Sequence, residues 1–220
     1  MPCWLDDERS FSRQPDVSVI EVFADVVCPF THAGFRRLVA ERQVRGRDDV
    51  VLKVRSWPLE MVNGQPLDPQ VVAEEVRALQ ASVAPDLFTG FDPTRWPDSS
   101  VPALSLAAAA LDVGVEEGEA VALALRTALF EDGLDVADSV LLDEIASAHG
   151  VVLGDPEVGR SRVLADWREG QERGVVGSPH FFVGDADMFC PTLKISHAHG
   201  RFDVELATAS FTDFMDRCFA

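Results

Sequence analysis

The feature that most constrains this chain is a strand–helix–strand order in its first quarter. Residues 17–25 hold Val17, Val19, Ile20, Val22 and Phe23, dense enough for a central strand buried on both faces. Residues 32–42 carry Phe35, Leu38 and Val39 at helical spacing with arginines opposite. Residues 50–57 alternate Val50, Leu52 and Val54 against Val51, Lys53 and Arg55, which is a strand period. Such a unit places its two strands parallel in one sheet. Residues 68–150 then read as helices, with Leu104, Ala107 and Leu111 on one face, Val121, Leu125 and Leu129 on another, and Asp138 capping a third segment of Leu141, Leu142 and Ile145. Loops are expected at 57–64 and 90–102.

Mixed order resumes after residue 150. Asp155-Pro156 opens a helix that Gly174 closes. Residues 180–183 and 188–195 are expected as a hairpin around a turn at 184–187. A last helix carries Ala207, Phe211, Phe214, Met215 and Cys218 on one stripe, and Met1–Asp16 reads as a loose tail.

The chemistry concentrates at Cys28-Pro29-Phe30-Thr31, between the first strand and its helix. A cysteine there meets unpaired N–H groups and the positive end of the helix dipole, which favour a thiolate. Pro29 suits the first turn, where its missing N–H costs nothing. The spacing is that of a Cys-x-x-Cys redox site with Thr31 in place of the second cysteine.

The net charge is −18, from 37 acidic and 19 Lys and Arg residues, which argues against nucleic acid or an anionic membrane as partner. No apolar run reaches the ~20 residues of a membrane span, and the N-terminus lacks the apolar core of a signal peptide. Cys3, Cys28, Cys190 and Cys218 are too scattered for a zinc site or a secreted disulfide framework, so a cytoplasmic setting with reduced thiols is expected.

Three segments resemble the DsbA-like thioredoxin superfamily, and most closely its FrnE-like branch, whose relatives include 2-hydroxychromene-2-carboxylate isomerases and kappa-class glutathione transferases. They are Phe23-Ala24-Asp25-Val26-Val27-Cys28-Pro29-Phe30; Leu125 to Phe130 with Gly133 to Asp138; and Gly174 to Val183 with its Ser178-Pro179 step. The resemblance implies a thioredoxin-like α/β domain from residues 17–64 and 151–220, interrupted by an all-helical lid over 65–150. It implies Cys28 as attacking sulfur and a cis Pro179 facing it. Substrate would pair with Val176, Gly177 and Ser178, next to Pro29 and Phe30. By position alone, His180 turns toward the site or into the sheet, and Trp57 lines the groove or packs at the domain junction. Family members of dithiol type need a cysteine at position 31, so Thr31 points to a monothiol site.

Two further residues are candidates by position. Hairpin counting sets Cys190 opposite His180, as a displaced resolving thiol or a small buried hydrophobe. His32, four residues after Cys28, would lower the thiol pKa as an imidazolium or would be an ordinary helix histidine. His197 and His199 fall in a polar loop without completing a metal set, and Glu74-Glu75 and Glu116-Glu117 read as solvated helix surface. The leading function is a monothiol disulfide oxidoreductase acting on a small-molecule or peptide thiol or disulfide. Its alternatives are a glutathione-like-thiol-dependent transferase or isomerase, and a redox-inactive peptide-binding module. No tightly held cofactor is expected, with a low-molecular-weight thiol as the exchangeable candidate, and a homodimer stays open.

Overall fold

A computed structural model describes residues 18–191, 193–198, 201–206 and 208–219. The first strand β1 (Ser18–Ala24) runs parallel to β2 (Val50–Ser56), in register from Ser18↔Val50 to Ala24↔Ser56, with α1 (Pro29–Arg45) as the crossover. β3 (His180–Val183) pairs antiparallel with β1, and β4 (Ala186–Phe189) antiparallel with β3, giving the order β2-β1-β3-β4.

Strand alternation sorts the side chains of β1. Ile20, Val22 and Ala24 join Phe35 and Leu38 of α1, Phe181, and Phe214 and Met215 in one core. Phe23 turns to the other face and closes a smaller cluster with Trp57 and Val175. Glu21, also on that face, anchors an ion network in which Arg55 binds Glu21, Asp166 and Glu169, and Arg173 reaches back to Glu21. This network fastens α7 (Pro156–Glu172) to the sheet.

Between β2 and α7 the described chain is helical: α2 (Leu59–Asn63), α3 (Pro69–Ser82), a 3-10 turn at Pro93–Arg95, α4 (Val101–Val113), α5 (Val115–Phe130) and α6 (Ser139–Ala148). Asp68, Asp138 and Asp155 each cap a helix by accepting the N–H two residues on. Val72, Leu104, Leu125, Leu129 and Phe130 belong to the same apolar cluster as Cys28. At roughly 2 kcal/mol per large buried side chain, this shared core supplies much of the adhesion between the helices and the end of the sheet.

The structure corrects three local expectations. The 57–64 segment is not all loop, because Pro58 and Glu60 start the short helix α2, which Gly64 ends in a left-handed turn. The strand expected at 188–195 is divided: β4 stops at Phe189, and β5 (Leu193–Ala198) pairs with β6 (Arg201–Leu206) in a separate two-stranded sheet. β6 had a readable signal, the alternation of Phe202, Val204 and Leu206 with charged residues. The β3–β4 turn is the two residues Gly184-Asp185, tighter than expected. The last helix, α8 (Thr208–Cys218), presents Phe214, Met215 and Cys218 to the core; Ala207 lies outside the described residues, as do Val17, Cys3, His199 and the tail. Among the described residues no helix is long and apolar enough to cross a membrane.

Candidate functional site

β1 delivers the chain to the carboxyl end of the sheet, and Cys28 is the N-cap of α1, with φ −86° and ψ 113° and Pro29 in the first turn. Its Sγ donates to the Ser178 carbonyl at 3.3 Å, and the Ser178–Pro179 peptide is cis. Thr31, fully buried one turn into α1, shares a 2.8 Å hydrogen bond between its hydroxyl and that of Ser178. The sequence therefore brought together Cys28, Thr31, Ser178 and Pro179.

The ionisation state differs from the expectation. Cys28 is 3% exposed, and burial pushes its thiol above the ordinary value of 9.0. The Thr31 hydroxyl, the Thr31 N–H and the Ser178 hydroxyl favour the anion but do not outweigh burial. Its bond to a carbonyl oxygen also requires a proton on sulfur. Cys28 thus rests as a neutral thiol among donors already arranged for a thiolate.

Two residues that sequence reasoning left unassigned organise this turn. Asp25, wholly buried, accepts Val27 N–H, Leu59 N–H at 2.6 Å and the Ser100 hydroxyl at 3.1 Å, while its own N–H donates to Ser178 Oγ at 2.9 Å. This one residue thereby ties β1, the exit of β2 and the start of α4 through its carboxyl group, and the cis-proline loop through its amide. Burial raises its pKa to about 6 against the hydrogen bonds it accepts. Arg126, 1% exposed, donates to the carbonyls of Ala122 and Asp25 and leaves Nε unpartnered. Among the described residues it has no carboxylate ion pair, but its charge is felt by both Asp25 and Cys28, and burial lowers its pKa to about 10. The signals were present: an acid ending an apolar run, and an arginine on the Ala122–Leu129 stripe.

His32 does not reach Cys28. Its Nε2 lies 2.7 Å from Glu131 Oε1, between the rings of Phe88 and Phe130, and burial lowers its pKa, which disfavours the activating-cation alternative. Glu131 also accepts the N–H groups of Phe88 and Thr89 and the Thr89 hydroxyl. Burial alone would raise that carboxyl, but these donors hold it at about 2. The clasp fixes Phe88 at φ +65°, a conformation that costs an ordinary residue about 1–2 kcal/mol. It also needs Gly90, where a Cβ would sit 2.0 Å from the Glu131 carbonyl oxygen.

Cys190 flanks the same loop from the other side, one residue out of the expected register. Phe189 pairs with His180, while Cys190 N–H donates to the Pro179 carbonyl with Cys190 at φ +42°. Burial, reinforced by the charge of Cys28, pushes its thiol up to about 12. Cys28, Cys190 and Cys218 are all free, and Cys218 is a buried core residue. His180 braces the loop, accepting Val176 N–H on Nδ1 and donating from Nε2 to Asp187 at 3.0 Å. Of the residues expected to meet substrate, Pro29, Phe30, Gly177, Ser178 and His180 are buried and Val176 is 67% exposed. Trp57 follows the packing alternative, edge-on to Phe23 with Gly170 against its ring. His197 sits in β5, not in a loop, and no metal-binding cluster occurs among the described residues. Glu74 is exposed as expected, but Glu75 is not solvated helix surface: it is half-buried, and its charge is felt at Cys28.

The chain is similar in fold to several solved structures. A probable DsbA oxidoreductase from Streptomyces coelicolor shares 20% identity and a TM-score of 0.60, over 90% of this chain and 89% of that one. The 2-hydroxychromene-2-carboxylate isomerase structure matches at 16% identity and 0.58, over 78% and 88%. The cytosolic disulfide reductase DsbM from Pseudomonas aeruginosa matches at 18% and 0.55, over 91% and 94%. At these identities the likeness speaks for the fold alone. No curated protein matches the chain. The model of the DSBA-like thioredoxin domain matches residues 19–202, spanning the nucleophile turn, the helices and the cis-proline loop, and the chain belongs to that family.

Proposed function

We propose that this protein is a monothiol disulfide oxidoreductase of the FrnE-like branch, in which Cys28 forms a mixed disulfide that an external low-molecular-weight thiol resolves. The observation that carries the reading is the Cys28 sulfur, held against the cis-proline loop with the Thr31 and Ser178 hydroxyls around it and no cysteine at position 31. Cys190 is free and buried, its thiol pushed up to about 12, and the reading assigns release to an external thiol instead. The proton on Cys28 leaves once substrate parts the apolar packing and admits water, since the opposing influence on its ionisation is burial. The three free cysteines suit a reducing, cytoplasmic setting. Residues 65–150 act in this reading as the lid whose displacement exposes the sulfur.

Exposure to glutathione disulfide followed by thiol counting and mass measurement tests the proposal. The expected result is one thiol lost at Cys28 with the mass of one adduct. Two thiols lost together without an adduct would replace external release by a Cys28–Cys190 bond. An unmodified Cys28 would overturn the oxidoreductase reading in favour of a redox-inactive binding module.

A second reading is favoured by the half-buried Glu75, whose charge is felt at the thiol: the site holds a thiol cofactor for transferase or isomerase chemistry, as the similarly folded isomerase suggests. It predicts saturable binding of such a thiol without disulfide reduction.

A further inference from the structure

α3 carries a carboxyl group that the rest of the structure leaves unpaired. Glu75 lies three residues from Val72 and four from Leu79, both buried, so it flanks the apolar stripe that α3 turns inward. Among the described residues no lysine, arginine, histidine or hydrogen-bond donor pairs with it. Burial alone raises its carboxyl to about 7. It lines a cavity of about 220 Å³ with Asn63, Gln65, Asp68 and Val72, formed where the loop after α2 meets α3. Val72, which lines the cavity, belongs to the same apolar cluster as Cys28, and a negative Glu75 disfavours ionisation of that thiol. A half-buried carboxylate without a partner is an unmet demand for a cation.

We propose that this cavity seats the ammonium group of a small aminothiol or its disulfide, with Glu75 as counter-ion, while the ligand's sulfur is presented to Cys28. The inference rests on the thiol-exchange reading of Cys28 and adds the class of substrate. The step balances without a further reactant. The Cys28 sulfur bonds to one sulfur of the disulfide as the ligand's own S–S bond breaks, and the Cys28 proton leaves on the departing thiol. Binding also helps the chemistry. The ammonium cancels the Glu75 charge that opposes thiolate formation, so a cationic ligand activates the sulfur that attacks it. A neutral ligand of the same size leaves that opposition in place.

The test compares cystamine, 2-hydroxyethyl disulfide and dithiodiglycolate, which present an ammonium, a hydroxyl and a carboxylate. Adduct formation at Cys28 is followed by peptide mass, each rate being divided by that of the same disulfide with free cysteine. Cystamine should lead, and Glu75→Gln should cut the cystamine to 2-hydroxyethyl disulfide ratio by on the order of tenfold. Glu74→Gln removes the same charge from the exposed neighbouring position and should leave the ratio unchanged. A ratio that Glu75→Gln leaves within twofold, or that Glu74→Gln lowers equally, overturns the inference while exchange itself survives. If none of the three labels Cys28, the exchange reading fails. S-methylcysteamine, which cannot exchange, then decides the cavity by calorimetry: binding lost in Glu75→Gln upholds it, and equal or absent binding removes it.

Discussion

Replacing Thr31 by valine isolates what its hydroxyl does for the sulfur. Valine keeps the shape of a fully buried side chain and changes little else in α1, while Ser178 loses its 2.8 Å partner but keeps the Asp25 N–H. A hydrogen bond to a charged group contributes about 1.5–3 kcal/mol, and 1.36 kcal/mol is one pKa unit. The Cys28 pKa, already raised by burial, should rise by a further ~1–2 units. A more basic thiolate is also more nucleophilic, with a Brønsted slope of about 0.4–0.5, which returns about half of the loss. Iodoacetamide alkylation of the Cys28 peptide, followed by mass between about pH 6 and pH 10, should therefore slow about 3–10-fold at pH values below the transition. Thr31→Ser retains the hydroxyl and should stay close to wild type. A Thr31→Val rate within twofold of wild type, or a Thr31→Ser rate as slow as Thr31→Val, would refute the donor-shell argument.

Thr31→Cys, which puts a second thiol at the usual spacing, should raise insulin reduction above that of the native chain; no gain in a turbidity assay would count against reading Thr31 as standing in the place of a second redox cysteine. Glu131→Ala removes the acceptor of four hydrogen bonds and should cost about 2–3 kcal/mol after allowance for solvent screening, lowering the melting temperature by roughly 4–12 °C. The Glu131 pKa of about 2 lies below its ordinary 4.5, so its stabilisation is present above pH 4.5 and is lost as pH falls towards 2; denaturant melts of the alanine variant should be flatter over that window. Asp25 has the opposite sign. Held at about 6 against an ordinary 3.8, it makes the native state bind more protons, so stability should decline by up to about 3 kcal/mol between pH 3.8 and 6, and urea titrations of Asp25→Asn should lack that decline. Gly90→Ala should unfold or severely destabilise the chain, because its Cβ would meet backbone at 2.0 Å, whereas Gly154→Ala, with nothing within 4 Å, should melt like wild type.

Much of the architecture was legible because hydrophobic period and turn chemistry agreed. The parallel β1–β2 pair, the helical stretch after β2 and the β3–β4 hairpin all follow from local pattern, and the resemblance pointed to the Cys28 and Pro179 neighbourhood. The thiol's protonation state was not legible, since it depends on how far the helices close over Cys28, and that closure is a tertiary balance between burial and donors. His32 illustrates the same point. Its spacing allowed a partner at position 28, but Glu131, 99 residues away, claimed the imidazole. Glu75 was misread because neighbouring glutamates look alike in sequence, although its distance from Val72 and Leu79 marked the inward side.

The Asp25 junction has a consequence for any attempt to re-engineer this scaffold. A single oxygen of its carboxyl accepts both from the Leu59 amide, where the chain leaves the sheet, and from Ser100, where α4 begins, and the Asp25 amide itself is anchored to the serine preceding the cis bond. Grafting a foreign helical segment between β2 and α7 would thus strip donors from the Asp25 carboxyl underneath Cys28, however well the graft packed. The helical part and the sheet-borne part of this molecule have to be redesigned as one object.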